Sequence, residues 1–181
     1  YNLLWILALV CPPVYYSINA GQNTGWMFLF HCATIAALAS TQHARAGIYL
    51  AAGLLKPHLF LPQVAFVAAA RRWKTVGVFA IFAILIVAIS MAIFGPDVFA
   101  REWNALQSPL YQKYETEHAY KMFSWISFWK LLLGKNVFST ILGGIFALAV
   151  FARTIWLWSR ADEKTDIALL GALSVATTVL V

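Results

Sequence analysis

Residues 46–74 read A-G-I-Y-L-A-A-G-L-L-K-P-H-L-F-L-P-Q-V-A-F-V-A-A-A-R-R-W-K, and the triplet Lys56, Pro57 and His58 interrupts an otherwise apolar run. Proline breaks or kinks a helix because it lacks an N–H and clashes with the preceding turn. An ionisable side chain at membrane depth is costly and by default marks a functional site. The stretch therefore predicts two helical arms that meet at Lys56.

The composition of the whole chain is that of a membrane protein. Hydrophobic residues make up 62% of the sequence and charged residues 11%, whereas a soluble domain carries about 25% charged residues. Residues 76–94 contain no charged residue, and about 20 apolar residues suffice to cross a hydrocarbon core. We therefore expect an all-α, polytopic transmembrane bundle that forms one integral membrane domain over residues 1–181. The chain begins and ends inside apolar runs, so the sequence is interpreted as a fragment.

Further apolar runs predict the remaining spans and leave one long loop between them. The additional predicted spans cover residues 3–16, 26–39, 137–158 and 167–181. Residues 95–136 form a predicted periplasmic loop with interfacial helices. In this loop Phe99, Trp103, Leu106 and Leu110 recur at helical spacing, which predicts an amphipathic helix lying on the membrane.

The distribution of basic residues favours a re-entrant hairpin over a single span. Arg45 and the R-R-W-K cluster of residues 71–74 should both be cytoplasmic by the positive-inside rule, yet one ordinary span between them would separate them. A hairpin that turns at Lys56 keeps both on one side. Non-helical backbone at membrane depth is tolerated where it lines a water-filled cavity, so this interpretation places Lys56 and His58 on a cavity floor. The alternative is one long tilted helix in which Lys56 snorkels.

Some residues have plainer structural explanations. His31 lies within an apolar run and is expected to be a packing residue, and His43 is expected to be solvated in a cytoplasmic turn. Asp97 is expected to cap the helix that follows it. Four tryptophans near predicted span ends are expected to lie in the lipid headgroup belt; they are Trp26, Trp73, Trp156 and Trp158.

Candidate catalytic residues are few. Residues 1–96 contain no carboxylate, so a general base within this chain must come from the outer loop or from a histidine. Glu115, Glu117 and His118 are the candidates by residue type, and a solvated, salt-paired loop is their structural alternative.

The two cysteines lie in apolar runs without metal-like spacing, and we expect no metal and no cofactor. The net charge of +6 reflects membrane topology, so no nucleic-acid partner is expected.

Candidate binding residues cluster near two turns. Lysine binds phosphate as a point charge, and a neighbouring histidine adds a donor, so Lys56 and His58 suit the phosphate of a lipid head group. Gln22 and Asn23 offer uncharged amide donors and acceptors that suit sugar hydroxyls or a phosphate oxygen. The alternative for this second pair is a plain polar turn.

Three motifs give the chain a resemblance to a known family. They are G-Q-N at residues 21–23, A-G-x-x-L-A-A-G-L-L-K-P at residues 46–57, and R-R-W-K at residues 71–74. In their order and spacing the chain resembles glycosyltransferase family 87, the polyprenyl-phosphate-dependent membrane glycosyltransferases. Gln22, Asn23 and Lys56 are the candidate site residues that fall within matching motifs.

The resemblance implies a GT-C fold in the bacterial inner membrane, with the active site on the periplasmic face. It implies a polyprenyl-phosphate donor of a mannose-like sugar or a pentose, and a lipid or glycan acceptor. It also implies inverting transfer with an aspartate base in the first outer loop. That loop would precede Tyr1, so the catalytic residue is unknown, with Glu117 and His118 as the candidates within this chain.

Two other functions are compatible with the residue pattern. Broken helices with a cation near the midplane also occur in secondary transporters, but a transporter needs no ordered aromatic outer loop. A non-catalytic membrane protein is the second alternative, and it gives no reason for a lysine at depth.

Overall fold

The computed structural model of the protein describes residues 24–109, 111, 124–161 and 166–180. Within these ranges the regular elements are helical and no strand occurs, which confirms the all-α prediction. The α-helices in this part of the chain are α1 (Thr24–Ala39), α2 (His43–Ala52), α3 (Pro57–Ala69), α4 (Trp73–Phe94), α5 (Val98–Leu106), α6 (Trp125–Leu133), α7 (Val137–Ser159) and α8 (Ile167–Leu180). A 3-10 turn, Gly53–Leu55, follows α2.

Among the described helices, α4 and α7 are long and apolar enough to cross a membrane. Helix α4 has 22 residues and a mean hydropathy of 2.9, and α7 has 23 residues and a mean hydropathy of 1.8. Shorter apolar helices cover Gly25–Ala39, Pro57–Ala69 and Ile167–Thr178. Within the described residues, the predicted spans over residues 26–39, 76–94, 137–158 and 167–181 thus coincide with helices. The span predicted over residues 3–16 lies outside the described residues.

Two turns of the same shape lie side by side at one end of the molecule. Thr41 between α1 and α2 and Arg71 between α3 and α4 both have left-handed backbone angles, with φ of 55° and 57°. Arg72 Nη1 donates to the Leu38 carbonyl at the end of α1 at 2.9 Å. We call residues 38–45 and 70–75 together the basic end.

A second contact joins these turns and corrects one expectation. His43 is half-buried, and its Nδ1 lies 3.3 Å from the hydroxyl of Thr75. The prediction of a solvated His43 is therefore wrong, because α2 packs closely beside α4. A Cβ on Gly47 of α2 would lie 2.7 Å from the Thr75 carbonyl oxygen, so only glycine permits this approach.

The buried core lies where α1, α2 and α3 meet the C-terminal part of α7 and the N-terminal part of α8. Phe66 of α3 and Phe151 of α7 have ring centroids 5.2 Å apart, which places the C-terminal half of α7 near the basic end. Trp158 is only 1% exposed, and its indole N–H donates to Ser174 Oγ of α8 at 2.7 Å. The prediction of a lipid-belt Trp158 is wrong, because its N–H has a partner inside the bundle.

The opposite end of the molecule holds the C-terminus of α4 and the short helix α5. Arg101 donates to the Phe94 carbonyl and pairs with Asp97 Oδ2 at 2.9 Å. Asp97 stands at the N-cap position of α5, but its side chain accepts no capping bond. Its carboxylate binds Arg101 instead, so the prediction of a capping side chain is wrong. The apolar face of α5 is exposed, including Phe99 and Trp103, as an interfacial helix requires.

Helix α6 packs along the first half of α7. The rings of Trp125 and Trp129 lie 5.6 and 5.1 Å from that of Phe146. Asn136 and Ser139 form a reciprocal capping box at the start of α7, which is a strong local signal for a helix N-terminus. The described residues of the loop predicted over residues 95–136 therefore include the short helices α5 and α6.

Candidate functional site

The candidate site is the break between α2 and α3, which lies at Lys56. Lys56 has φ −132° and ψ 80°, and Pro57 is the first residue of α3. A residue before proline is pushed out of the helical region, whereas proline is favoured at the first helical position because its missing N–H would be unpaired there. The Lys-Pro dipeptide therefore ends one helix and begins the next, as the sequence predicts.

Both arms that meet at Lys56 have their other end at the basic end: α2 begins there, and α3 ends there. Helix α2 has 10 residues, or about 15 Å, and the three residues of Gly53–Leu55 add about 6 Å. Helix α3 has 13 residues, or about 20 Å. The two arms agree and place Lys56 about 20 Å from the basic end. The 22 residues of α4 extend about 33 Å and so pass well beyond the break.

A stack of three residues holds the break in place. A Cβ on Gly53 would lie 2.1 Å from Cδ1 of Phe60, so the Phe60 ring occupies the space that the missing side chain leaves. On α1, His31 stacks on the same ring with a centroid distance of 4.0 Å and an interplanar angle of 13°. His31 is 5% exposed, which confirms its expected packing role.

Lys56 and His58 stand together at this break. Lys56 is half-buried and His58 is exposed, and the two side chains interact electrostatically. In the part of the chain that the structure describes, neither has a carboxylate partner, since the ion pair found there joins Arg101 to Asp97. The Lys56 ammonium and a protonated His58 imidazole repel each other. An anion bound between them would offset this repulsion.

Gln63 is a buried polar residue that the sequence reasoning missed. It lies on the buried face of α3 between Phe60 and Phe66 and is 6% exposed. Its Nε2 has no hydrogen-bond partner among the described residues. The sequence does contain a signal for this residue, since Gln63 is an amide within an apolar run. Burying an unpaired polar group costs free energy, so such a residue calls for a partner or a ligand.

The other candidate residues fall outside the described part of the chain. They are Gln22, Asn23, Glu115, Glu117 and His118. Of the predicted site residues, the structure therefore describes Lys56 and His58 and brings these two together.

Comparison with known families fits this architecture. A sequence model of glycosyltransferase family 87 matches residues 2–181. The chain belongs to glycosyltransferase family 87. Searches of curated proteins and of solved structures found no match.

Membership of family 87 supports a glycosyltransferase over the transporter and the non-catalytic membrane protein. The apolar helices α4 and α7, together with the family 87 match, indicate a membrane protein.

Proposed function

We propose that this family 87 chain transfers a sugar from a polyprenyl-phosphate donor to a lipid or glycan acceptor on the periplasmic face of the bacterial inner membrane. The observation that carries the proposal is the place of Lys56. It is a half-buried cation at a helix break, beside His58, about 20 Å from the basic end. The proposal includes a multi-pass bundle of GT-C type in which residues 95–136 lie outside.

The depth of Lys56 supports access from the periplasmic side. If the basic end lies at the cytoplasmic headgroups, as the positive-inside rule requires, α2 and α3 form a re-entrant hairpin. A hydrocarbon core is about 30 Å thick, so Lys56 would lie about 10 Å below its outer boundary. A phosphate carried on a polyprenyl chain would reach that level through a water-filled cavity open to the periplasmic side, because a charged group is costly in hydrocarbon.

The proposed reaction is an inverting displacement at the anomeric carbon. The acceptor hydroxyl forms the new bond to this carbon while the bond to the phosphate oxygen breaks. The leaving polyprenyl phosphate takes the electron pair, and a general base takes the hydroxyl proton. Lys56 would bind the phosphate and stabilise the charge that develops on it, with His58 as a second donor.

The remaining assignments of the proposal rest on the family pattern and on residue type. Gln22 and Asn23 would bind the donor sugar or its phosphate. Glu117 and His118 are the candidates in this chain for the general base, unless an aspartate in a preceding outer loop supplies it. The donor sugar would be mannose-like or a pentose.

Sugar transfer from a lipid-linked donor tests the proposed function directly. The protein, with any natural sequence that flanks residues 1–181, is reconstituted in liposomes with radiolabelled polyprenyl-phosphate mannose or polyprenyl-phosphate pentose and a lipid acceptor extract. We expect a labelled acceptor together with free polyprenyl phosphate, and no product from the matching nucleotide sugar. Movement of intact donor across the membrane without cleavage would instead support the transporter.

A further inference from the structure

We propose that the basic end carries a binding site for anionic phospholipid headgroups, formed by Arg153, Trp156 and Arg160 near the C-terminus of α7. The guanidinium carbon of Arg153 lies 4.1 Å from the centroid of the Trp156 ring, and that of Arg160 lies 4.3 Å from it. All three side chains are exposed. We call these residues the Arg-Trp-Arg stack. The inference does not depend on the glycosyltransferase reaction.

The stack holds two like charges against one ring, and the described residues offer no carboxylate to neutralise them. The described acid nearest in sequence, Asp166, accepts bonds from the backbone N–H groups of Ala168 and Leu169 at the start of α8. Cation–π contact offsets part of the repulsion between the guanidiniums. Their N–H donors are left to bind an anion, and a planar guanidinium suits a phosphate better than an ammonium does.

The position of the stack identifies the anion. The contact between Phe66 and Phe151 places this half of α7 near the basic end, where a second exposed cluster lies at the start of α4. That cluster contains Arg71, Lys74 and the 64% exposed Trp73. Exposed tryptophans beside arginines are typical of the headgroup level of a membrane. The abundant anion at that level is the phosphate of an anionic phospholipid.

Selective binding of phosphatidylglycerol tests this inference. The purified protein, with any natural sequence that flanks residues 1–181, is titrated in mild detergent with phosphatidylglycerol or with phosphatidylcholine of the same acyl chains, and bound lipid is counted by native mass spectrometry. We expect a preference for phosphatidylglycerol, and R153Q/R160Q should weaken its binding about 30-fold, the effect of two headgroup contacts. R153K/R160K should lose part of the affinity, because lysine keeps the charge without the planar fork.

A matched pair at the opposite end provides the control. K130Q/K135Q removes the same charge from the last turn of α6 and from the turn that follows it, and should leave the preference unchanged. Equal losses in both double variants, or full binding in R153Q/R160Q, would overturn the site. No preference for phosphatidylglycerol in the parent protein would overturn the site. Displacement of the lipid by excess inorganic phosphate would point to a soluble anion and also overturn the proposal.

Discussion

Replacing Gly53 with alanine is expected to lower both the thermal stability of the protein and its affinity for the lipid-linked donor. The new Cβ would lie 2.1–2.3 Å from three carbons of the Phe60 ring. That ring is fully buried and stacked on His31, so it has no free space into which to turn. Overpacking of this kind costs about 1–3 kcal/mol, which exceeds the gain of up to about 1 kcal/mol from replacing glycine in a helix.

The loss of donor affinity follows from the position of Gly53, three residues before Lys56. A shift of the Gly53–Leu55 turn moves the amine away from the phosphate that it is proposed to bind. Thermal unfolding in detergent and donor titration measure the two effects. Gly144→Ala is the matched control, because a Cβ there meets nothing within 4 Å. G53A/F60L makes room for the new methyl group and should recover part of both losses.

A Gly53→Ala variant with unchanged stability and donor affinity would contradict the packing argument. It would mean that the break does not depend on contact between Phe60 and the turn.

Replacing Lys56 with methionine is expected to weaken donor binding about 10-fold or more while the protein stays folded. Methionine keeps the length of the side chain and removes its charge. The loss corresponds to one charge-assisted hydrogen bond, about 1.5–3 kcal/mol. Lys56→Arg keeps the charge and should retain part of the binding, with a poorer fit at a site built for a compact ammonium.

Equilibrium binding of the polyprenyl-phosphate sugar, measured beside turnover, checks this expectation. Lys130→Met makes the same chemical change on α6, near the opposite end of the molecule, and should leave both quantities near parental values. If a well-folded Lys56→Met variant keeps the parental donor affinity and turnover, Lys56 does not bind the donor and only extends its ammonium group toward water. The donor-phosphate assignment would then lose its main support.

The helices and their breaks could be predicted from the sequence because their signals are local. The charge-free apolar run of residues 76–94 predicted α4, and the apolar run of residues 137–158 predicted α7. Pro57 after Lys56 predicted the break between α2 and α3. The packing around these helices depends on residues far apart in the chain. Trp158 bonds to Ser174, and Asp97 binds Arg101 in preference to backbone N–H groups. Neither choice of partner follows from helical periodicity.

The candidate site was predictable only in part. Lys56 and His58 stand out because charged and titratable groups are rare in apolar runs. The packing that holds these two residues in place was not predictable. His31 of α1 stacks on Phe60 of α3, and no sequence spacing predicts a contact between two separate helices. The sequence is enough to mark Gln63 as an amide within an apolar run. It does not predict which groups surround this side chain, because they depend on how the helices pack. Gln22, Asn23, Glu117 and His118 stay predictions.

The proposed re-entrant hairpin requires that α2 and α3 enter and leave the membrane on the same side, with Lys56 at their turn. It is tested by labelling single cysteines with an impermeant thiol reagent added from outside, in a background without Cys11 and Cys32. We expect Gln42→Cys and Lys74→Cys, which flank the hairpin at the basic end, both to resist labelling. Gln107→Cys, beyond α5 at the opposite end, should be labelled. Labelling of only one of positions 42 and 74 would show that residues 46–70 cross the membrane once, and would exclude the re-entrant hairpin.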